Sequence, residues 1–214
     1  MSLTDSLEAI FDADRLLRAA EEELLSTKDA AALSAIIRGA TTEALELEDG
    51  EESEMRLERL ADLSAQVPGP EAVDNLLRIL DHPAASVRVV AGEALRDVAY
   101  ERYTEAAHAI GRAIAAGELN TALAEVPWVV LEVAEPDPIT LLRKLLGASD
   151  ARVVASTIEA LADLGDPSAA DAIARFVDDP REVRLDDSEE DTSATLGELA
   201  SAALRVFEAL SADE

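Results

Sequence analysis

The sequence predicts an all-α solenoid, a stack of small two-helix modules that share one interior. The first reason is a recurring stripe. Val87, Ala91, Ala94, Leu95 and Val98 are spaced 0, +4, +7, +8 and +11. That spacing returns as Val153, Thr157, Ala160, Leu161 and Leu164, and again as Leu196, Ala200, Ala203, Leu204 and Phe207. A fainter copy lies at Asn120, Ala124, Pro127, Trp128 and Leu131, so the period is about 33 residues. Steps of three and four place each set on one face of a helix, and a fixed period means copies of one unit. The second reason is composition: 49% of residues are apolar but only 3% are aromatic, which suits close helix contacts between small side chains. The third is that no sustained period-two run bounded by turns marks a strand.

Each element follows in order. Residues 5–25 read as one helix with Leu7, Ile10, Phe11, Leu16, Leu17, Leu24 and Leu25 apolar, and Thr4 or Ser6 stands where a cap belongs. Thr27 or Asp29 is placed to cap a second helix through Leu33, Ile36 and Ile37 to about Leu47. The run Glu48-Asp49-Gly50-Glu51-Glu52-Ser53-Glu54 reads as a solvated loop. A helix over about 54–66 then stops at Pro68-Gly69-Pro70. Two matched pairs of first helices follow. Leu76-Leu77-Arg78-Ile79-Leu80 answers Leu141-Leu142-Arg143-Lys144-Leu145, and the segment Ala106 to Arg112 answers Ala169 to Arg175. The last repeat is interrupted, because its stripe resumes about ten residues late; an acidic insertion over 180–191 accounts for the delay. The chain therefore divides as one domain over 1–214. Residues 1–50 form a divergent N-terminal helical pair or cap, 55–178 the regular repeats, and 192–211 a C-terminal capping helix, five to six helix pairs in all.

These motifs resemble the HEAT-like repeat, in the short bacterial and archaeal form first grouped with phycobilisome lyases. That family shows an Asp, then Val-Arg, Ala and Ala-Leu, and ends in Leu-Gly-Asp-Pro. Val87-Arg88, Ala91 and Ala94-Leu95 match, as do Asp150, Val153, Ala160-Leu161 and Leu164-Gly165-Asp166-Pro167, although Val154 stands where arginine is usual. The resemblance is closest over 68–178, looser to 211, and weak before 55. It implies a right-handed α-α superhelix whose second helices line a concave face. The scaffold hosts many unrelated roles, so it implies no single function. One role it suggests is an auxiliary subunit of a chromophore or cofactor lyase; another is a groove for nucleic acid.

Charge is the other strong feature. Forty-six acidic residues face 18 basic ones, a net charge of −28, and only Lys28 and Lys144 among the basic residues are lysines. An acidic, lysine-poor surface over an alanine-rich interior resembles proteins of salt-in halophilic archaea, where a Debye length of ~3 Å at molar salt screens surface carboxylates from one another. HEAT-like proteins in haloarchaea occur beside taxis-signalling components, which is the role that resemblance and source together imply. There is no cysteine, so disulfide and thiolate chemistry are excluded. No apolar stretch approaches the ~18 residues of a membrane span, and the start lacks a basic-then-apolar leader, so a cytoplasmic protein is expected.

No catalytic residue, cofactor or metal site is expected. His82 and His108 stand alone, one in a turn and one on a helix, and read as surface or capping polarity. Acidic pairs are expected by chance among so many acids. Asp186-Asp187-Ser188-Glu189-Glu190-Asp191 suggests calcium superficially but lacks the glycine that a calcium loop needs for its sharp turn. Gly165 and Gly197 are isolated, so no phosphate-cradling loop exists. Nucleic acid is disfavoured, because Arg88, Arg96, Arg152 and Arg205 on the second helices are interspersed with Glu93, Glu125, Glu159 and Glu198.

What remains is a monomeric, non-enzymatic adaptor holding a protein partner. Removing the stripe positions leaves a candidate concave face of Arg88, Val89, Arg96, Val126, Val129, Val154 and Ile158. Its apolar members are uncharged where a lone solvated helix carries charge. The alternative is that these β-branched residues are buried seams between neighbouring helices. Trp128, following Pro127, is expected to fill the gap left by a proline kink, with an exposed binding anchor as the alternative. The halophilic reading predicts that helicity rises as KCl is added, measured by circular dichroism; full helicity without added salt would count against it.

Overall fold

The computed structural model describes residues 2–133, 138–184 and 193–212. The chain is an all-α solenoid. Its helices are α1 (Leu3–Leu25), α2 (Ala30–Leu45), α3 (Gly50–Gln66), α4 (Pro70–Leu80), α5 (Ala85–Glu101), α6 (Tyr103–Ala116), α7 (Asn120–Leu131), α8 (Ile139–Leu145), α9 (Ala151–Leu164), the short α10 (Ala170–Ile173) and, after two strands, α11 (Leu196–Ala212). From α2 onward, odd and even helices form two layers: α2, α4, α6 and α8 stack on one side and α3, α5, α7, α9 and α11 on the other. Along the stack the second-helix layer is the more closely packed, with its loosest junction between α5 and α7.

Local chemistry explains where these helices begin. Ser2, not Thr4 or Ser6, caps α1: its hydroxyl accepts from the Asp5 amide at 3.1 Å while Asp5 accepts from the Ser2 amide at 2.8 Å. Asp29 caps α2 by accepting from the Ala32 amide. The acidic run over 48–54 is not a loop. Asp49 accepts from the Glu52 amide and α3 starts at Gly50. Acids in a first turn face the exposed amides and the positive end of the helix dipole, so the run favours a helix start. Gly69 has φ +114, a left-handed-side value that lets the chain turn between two prolines, and Pro70 begins α4.

The stripes are the interior. Val87, Ala91, Leu95, Val153, Ala160, Leu161, Leu196 and Ala200 are fully buried in one continuous cluster that runs from Leu33 to Phe207. A further copy of the spacing, invisible as an apolar pattern, runs through Ser53, Leu57, Leu60, Ala61 and Ser64 on α3, all buried. Its two serines satisfy themselves on the backbone, Ser53 donating to the Ala44 carbonyl and Ser64 to the Leu60 carbonyl. Buried Asn75 of α4 joins them by donating to Ser64 Oγ and to Thr41 Oγ1 of α2.

Four further expectations need correction. The faint stripe is displaced by one residue: on α7 it runs through buried Leu123, Val126, Pro127 and Val130, with half-buried Leu119 heading it and Ala122 buried beside it. Leu119 takes φ +59, and the Ala122 amide is capped from outside by Asp81 Oδ1 at 3.0 Å. That left-handed turn rotates the helix relative to the 33-residue count. Trp128 is consequently not the gap filler; it is 38% exposed. The segment 169–175 is not one continuous helix, since α10 is flanked by 3₁₀ turns at Pro167–Ala169 and Ala174–Phe176. Finally, the insertion contains β-structure: β1 (Glu182–Arg184) pairs antiparallel with β2 (Ser193–Thr195), Val183 opposite Ala194. Residues Asp186 to Asp191 of the acidic loop lie outside the described residues.

Gly197 shows how tightly α11 closes the stack. Its amide donates to the Asp179 carbonyl, and an added Cβ would stand 2.5 Å from the Val177 carbonyl oxygen. Gly197→Ala should therefore lower stability by about 1–3 kcal/mol, as overpacking against backbone does. Urea unfolding checks this, and an unchanged midpoint would show that α11 is not held at that distance.

Candidate interaction surface

On α5 and α7 the outward side of the second-helix layer is built from positions +1, +2, +5, +6 and +9 of the stripe. On α5 these are Arg88, Val89, Gly92, Glu93 and Arg96. On α7, counted from Leu119, they are Asn120, Thr121, Ala124, Glu125 and Trp128.

The structure divides the seven candidate residues. Val126 and Val154 are fully buried and Ile158 is 1% exposed, so none belongs to a surface: Val126 is a stripe position of α7 facing the interior, and Val154 and Ile158 lie in the seams between second helices. The physical reason is the closeness of the layer. A β-branched residue on the flank of one second helix lies under its neighbour, and around α9 the helices on both sides pack tightly. Val129 is half-buried against the core. Val89 alone among the apolar candidates is well exposed, at 59%.

Both candidate arginines are committed. Arg88 Nη1 donates to the Pro83 carbonyl at 2.6 Å and to the His82 carbonyl at 3.3 Å, and its Nε lies 3.4 Å from Glu125 of α7. Arg96 Nη1 donates to Glu132 Oε2 at 2.8 Å. The same logic holds Arg59 of α3 against Glu21 of α1 at 3.1 Å, and Arg152 against the α9 capping residue Asp150 at 2.9 Å. The Arg152 hydrogen bond is the main cause holding the Asp150 carboxyl below its ordinary range, although burial opposes it. Elsewhere the face is acidic. Glu159 on α9 is pushed above the ordinary glutamate range by burial and by Asp163. A phosphate backbone arriving here meets arginines already neutralised by carboxylates, which is unfavourable for nucleic acid.

His82 lies in the turn before α5, its Nδ1 accepting from the amide of Ala84 at 3.2 Å; His108 is exposed on α6. Among the described residues no group of three or more histidine or acidic side chains stands in metal-holding geometry, and no helix is long and apolar enough to cross a membrane.

The reading from sequence passed over Trp128 as a surface residue. It occupies on α7 the position that Arg96 occupies on α5, one helical turn before Glu132, which holds Arg96. Val89 and Trp128 are thus both exposed on neighbouring second helices, Val89 on α5 and Trp128 on α7. Between them the corresponding positions are small, Gly92 on α5 and Ala124 on α7, both half-buried. The signal that would have found this surface is the one-residue shift: counting from Leu119 instead of Asn120 turns Trp128 outward.

No family model matches this chain, and no curated protein matches it. Among solved structures, a crystal structure of an engineered protein is 15% identical, covering 89% of this chain and 97% of its own, with a TM-score of 0.33. Two designed armadillo repeat proteins are each 16% identical, covering 88% of this chain and 98% of theirs, with TM-scores of 0.30; one of them is in complex with the peptide (KR)4. Likenesses this distant carry no argument about function, and the solenoid rests on the chain's own helices.

Burial of these residues has a direct consequence. Val126→Glu and Ile158→Glu should each unfold the protein or cost about 3 kcal/mol or more, because a carboxylate would be buried without a partner. Thermal melts check this; a variant that melts like the parent would return these residues to the surface.

Proposed function

We propose that this chain is a non-enzymatic adaptor of HEAT-like repeats that docks a protein partner on its second-helix face, at the junction of α5 and α7. One observation carries the reading: the single tryptophan stands 38% exposed beside a committed ion pair, with Val89 59% exposed across the junction. A large ring held partly in water is an anchor of the kind that dominates protein interfaces. The neutralised Arg88 and Arg96 do not compete with it; they fix α7 against α5 and so hold Trp128 in place. We also propose that the protein works as a monomer in a salt-rich cytoplasm, where its surplus carboxylates are screened. In such a source the taxis-signalling role is the one the repeat type suggests.

The test uses Trp128→Ala and Val89→Asp. Val89→Asp should melt within about 0.5 kcal/mol of the parent, as surface changes do, while Trp128→Ala should melt lower because much of the ring is covered. At a temperature where circular dichroism shows both folded, each should abolish partner capture in a high-salt pull-down from native cells. Trp128 is also the reporter. Its emission should move to shorter wavelength when the captured partner is added back to the parent protein. Capture that survives both substitutions would remove this face from the interaction.

A further inference from the structure

The N-terminal end of the molecule carries a second surface to which α7 contributes nothing. Helix α1 has no buried residue, and its stripe of Leu7, Ile10 and Phe11 is 46–63% exposed. Only its C-terminal end engages the solenoid, through partly buried Leu24 and Leu25 and the Glu21–Arg59 ion pair. Where the stripe reaches Leu17 it opens into a groove of about 580 Å³ between α1 and the second-helix layer. Leu17, Ala40, Met55, Leu60 and Val90 give the groove an apolar lining, and Met55 is 55% exposed.

Charge decides what such a groove accepts. Its rim carries Glu43, Glu58 and Asp62, with Glu21 and Glu93 close enough to act on Asp62. Burial chiefly, and then Glu21, Glu58 and Glu93, push the Asp62 carboxyl above its ordinary range despite the attraction of Arg59. The two rim arginines are already used: Arg56 is held by Glu52 at 2.6 Å, and Arg59 is shared between Glu21 at 3.1 Å and Asp62 at 3.5 Å. Glu43 and Glu58 form no ion pair among the described residues, and the basic neighbour of Glu93, Arg96, is held by Glu132. A second copy of this chain, bringing −28 and an α1 that carries Asp5, Glu8, Asp12 and Asp14, adds repulsion to that rim. An anionic membrane does the same. The occupant that satisfies both floor and rim is apolar on one side and basic on its flanks, and helical pitch lets its apolar row follow the ridges of α1 and α3.

We propose that the groove between α1 and α3 seats a basic amphipathic helix of a partner protein, its aliphatic row on Leu17, Met55 and Val90 and its lysines or arginines against Glu43, Glu58 and Glu93. This goes beyond the docking surface around Trp128, and the two fail separately. The probe is a fluorescent synthetic peptide of about 18 residues, long enough to form a helix on binding, with leucines at helical spacing and flanking lysines. Its twins are a glutamate-for-lysine version and one with the leucine row scrambled. Fluorescence anisotropy against the full chain, at a salt concentration where circular dichroism shows it folded, should give binding of the basic peptide and at least about ten-fold weaker binding of either twin. Met55→Asp, a change at an exposed position, should weaken the basic peptide about ten-fold with helicity unchanged, as should Glu58→Lys combined with Glu93→Lys. Trp128→Ala should leave it unaffected. Equal binding of the glutamate twin, no binding of the basic peptide, or indifference to these variants would overturn the proposal. So would a dimer in sedimentation that Met55→Asp dissociates, since that assigns the groove to a second copy.

Discussion

Helices can be stacked side by side without limit only if the seam between neighbours stays thin, and here alanine makes it thin. Ala44, Ala61, Ala91, Ala160 and Ala200 are completely buried, and Ala94 and Ala203 nearly so. An alanine loses no side-chain rotamer freedom on burial, and it lets two helix backbones approach closely. Each contact contributes little apolar area by itself. The sum over many close seams holds the chain, and each module depends on its immediate neighbours. Among the described residues aromatic side chains are nearly absent from the interior, and Phe207 is the one ring that is deeply buried.

The arginines extend the same nearest-neighbour logic to the surface. Arg88 reaches Glu125, Arg96 reaches Glu132, and on the opposite layer Arg112 forms two bonds to Asp74 at 2.7 and 2.8 Å. Each exposed pair stabilises the fold little, roughly 0–1 kcal/mol. Their larger effect is on what is left over. With Arg59, Arg88, Arg96 and Arg112 tied across helices and others tied to carboxylates within a helical turn, the net charge of −28 appears as surplus carboxylates on both layers. A partner, or dissolved salt, must answer that charge. Thus the fold and the functional proposal meet in one quantity, the surplus of carboxylates around small uncharged windows.

Much of this was legible in residue order, and the failures have identifiable causes. The stripes on α5 and α11 are apolar throughout, and that on α9 is broken only by Thr157, so all three could be read directly. The stripe on α3 could not, because Ser53 and Ser64 stand at core positions. Their hydroxyls are satisfied by carbonyls of the Ala44 and Leu60 peptides, one in the neighbouring helix and one a turn away. The acidic run before it looked like solvated loop, since charge density alone does not distinguish a loop from a first helical turn; the Asp49 cap does. On α7 the error was a single residue, and it exchanged inside for outside. Leu119 carries the left-handed turn that a glycine would ordinarily mark, so nothing in the sequence announced it.

By itself, then, residue order determined the two-helix module, its repetition, the small-residue interior and the acidic balance. These are periodic or compositional properties, carried by many residues at once, and one misplaced position does not erase them. Tertiary structure alone decided which uncharged residues face water. Val126, Val154 and Ile158 are covered by neighbouring helices while Val89 and Trp128 are not. A residue on the flank of a helix is buried or exposed according to how close the next helix lies and how far it is rotated. Both depend on turns such as Leu119 and on contacts from other repeats, such as Asp81 on the Ala122 amide.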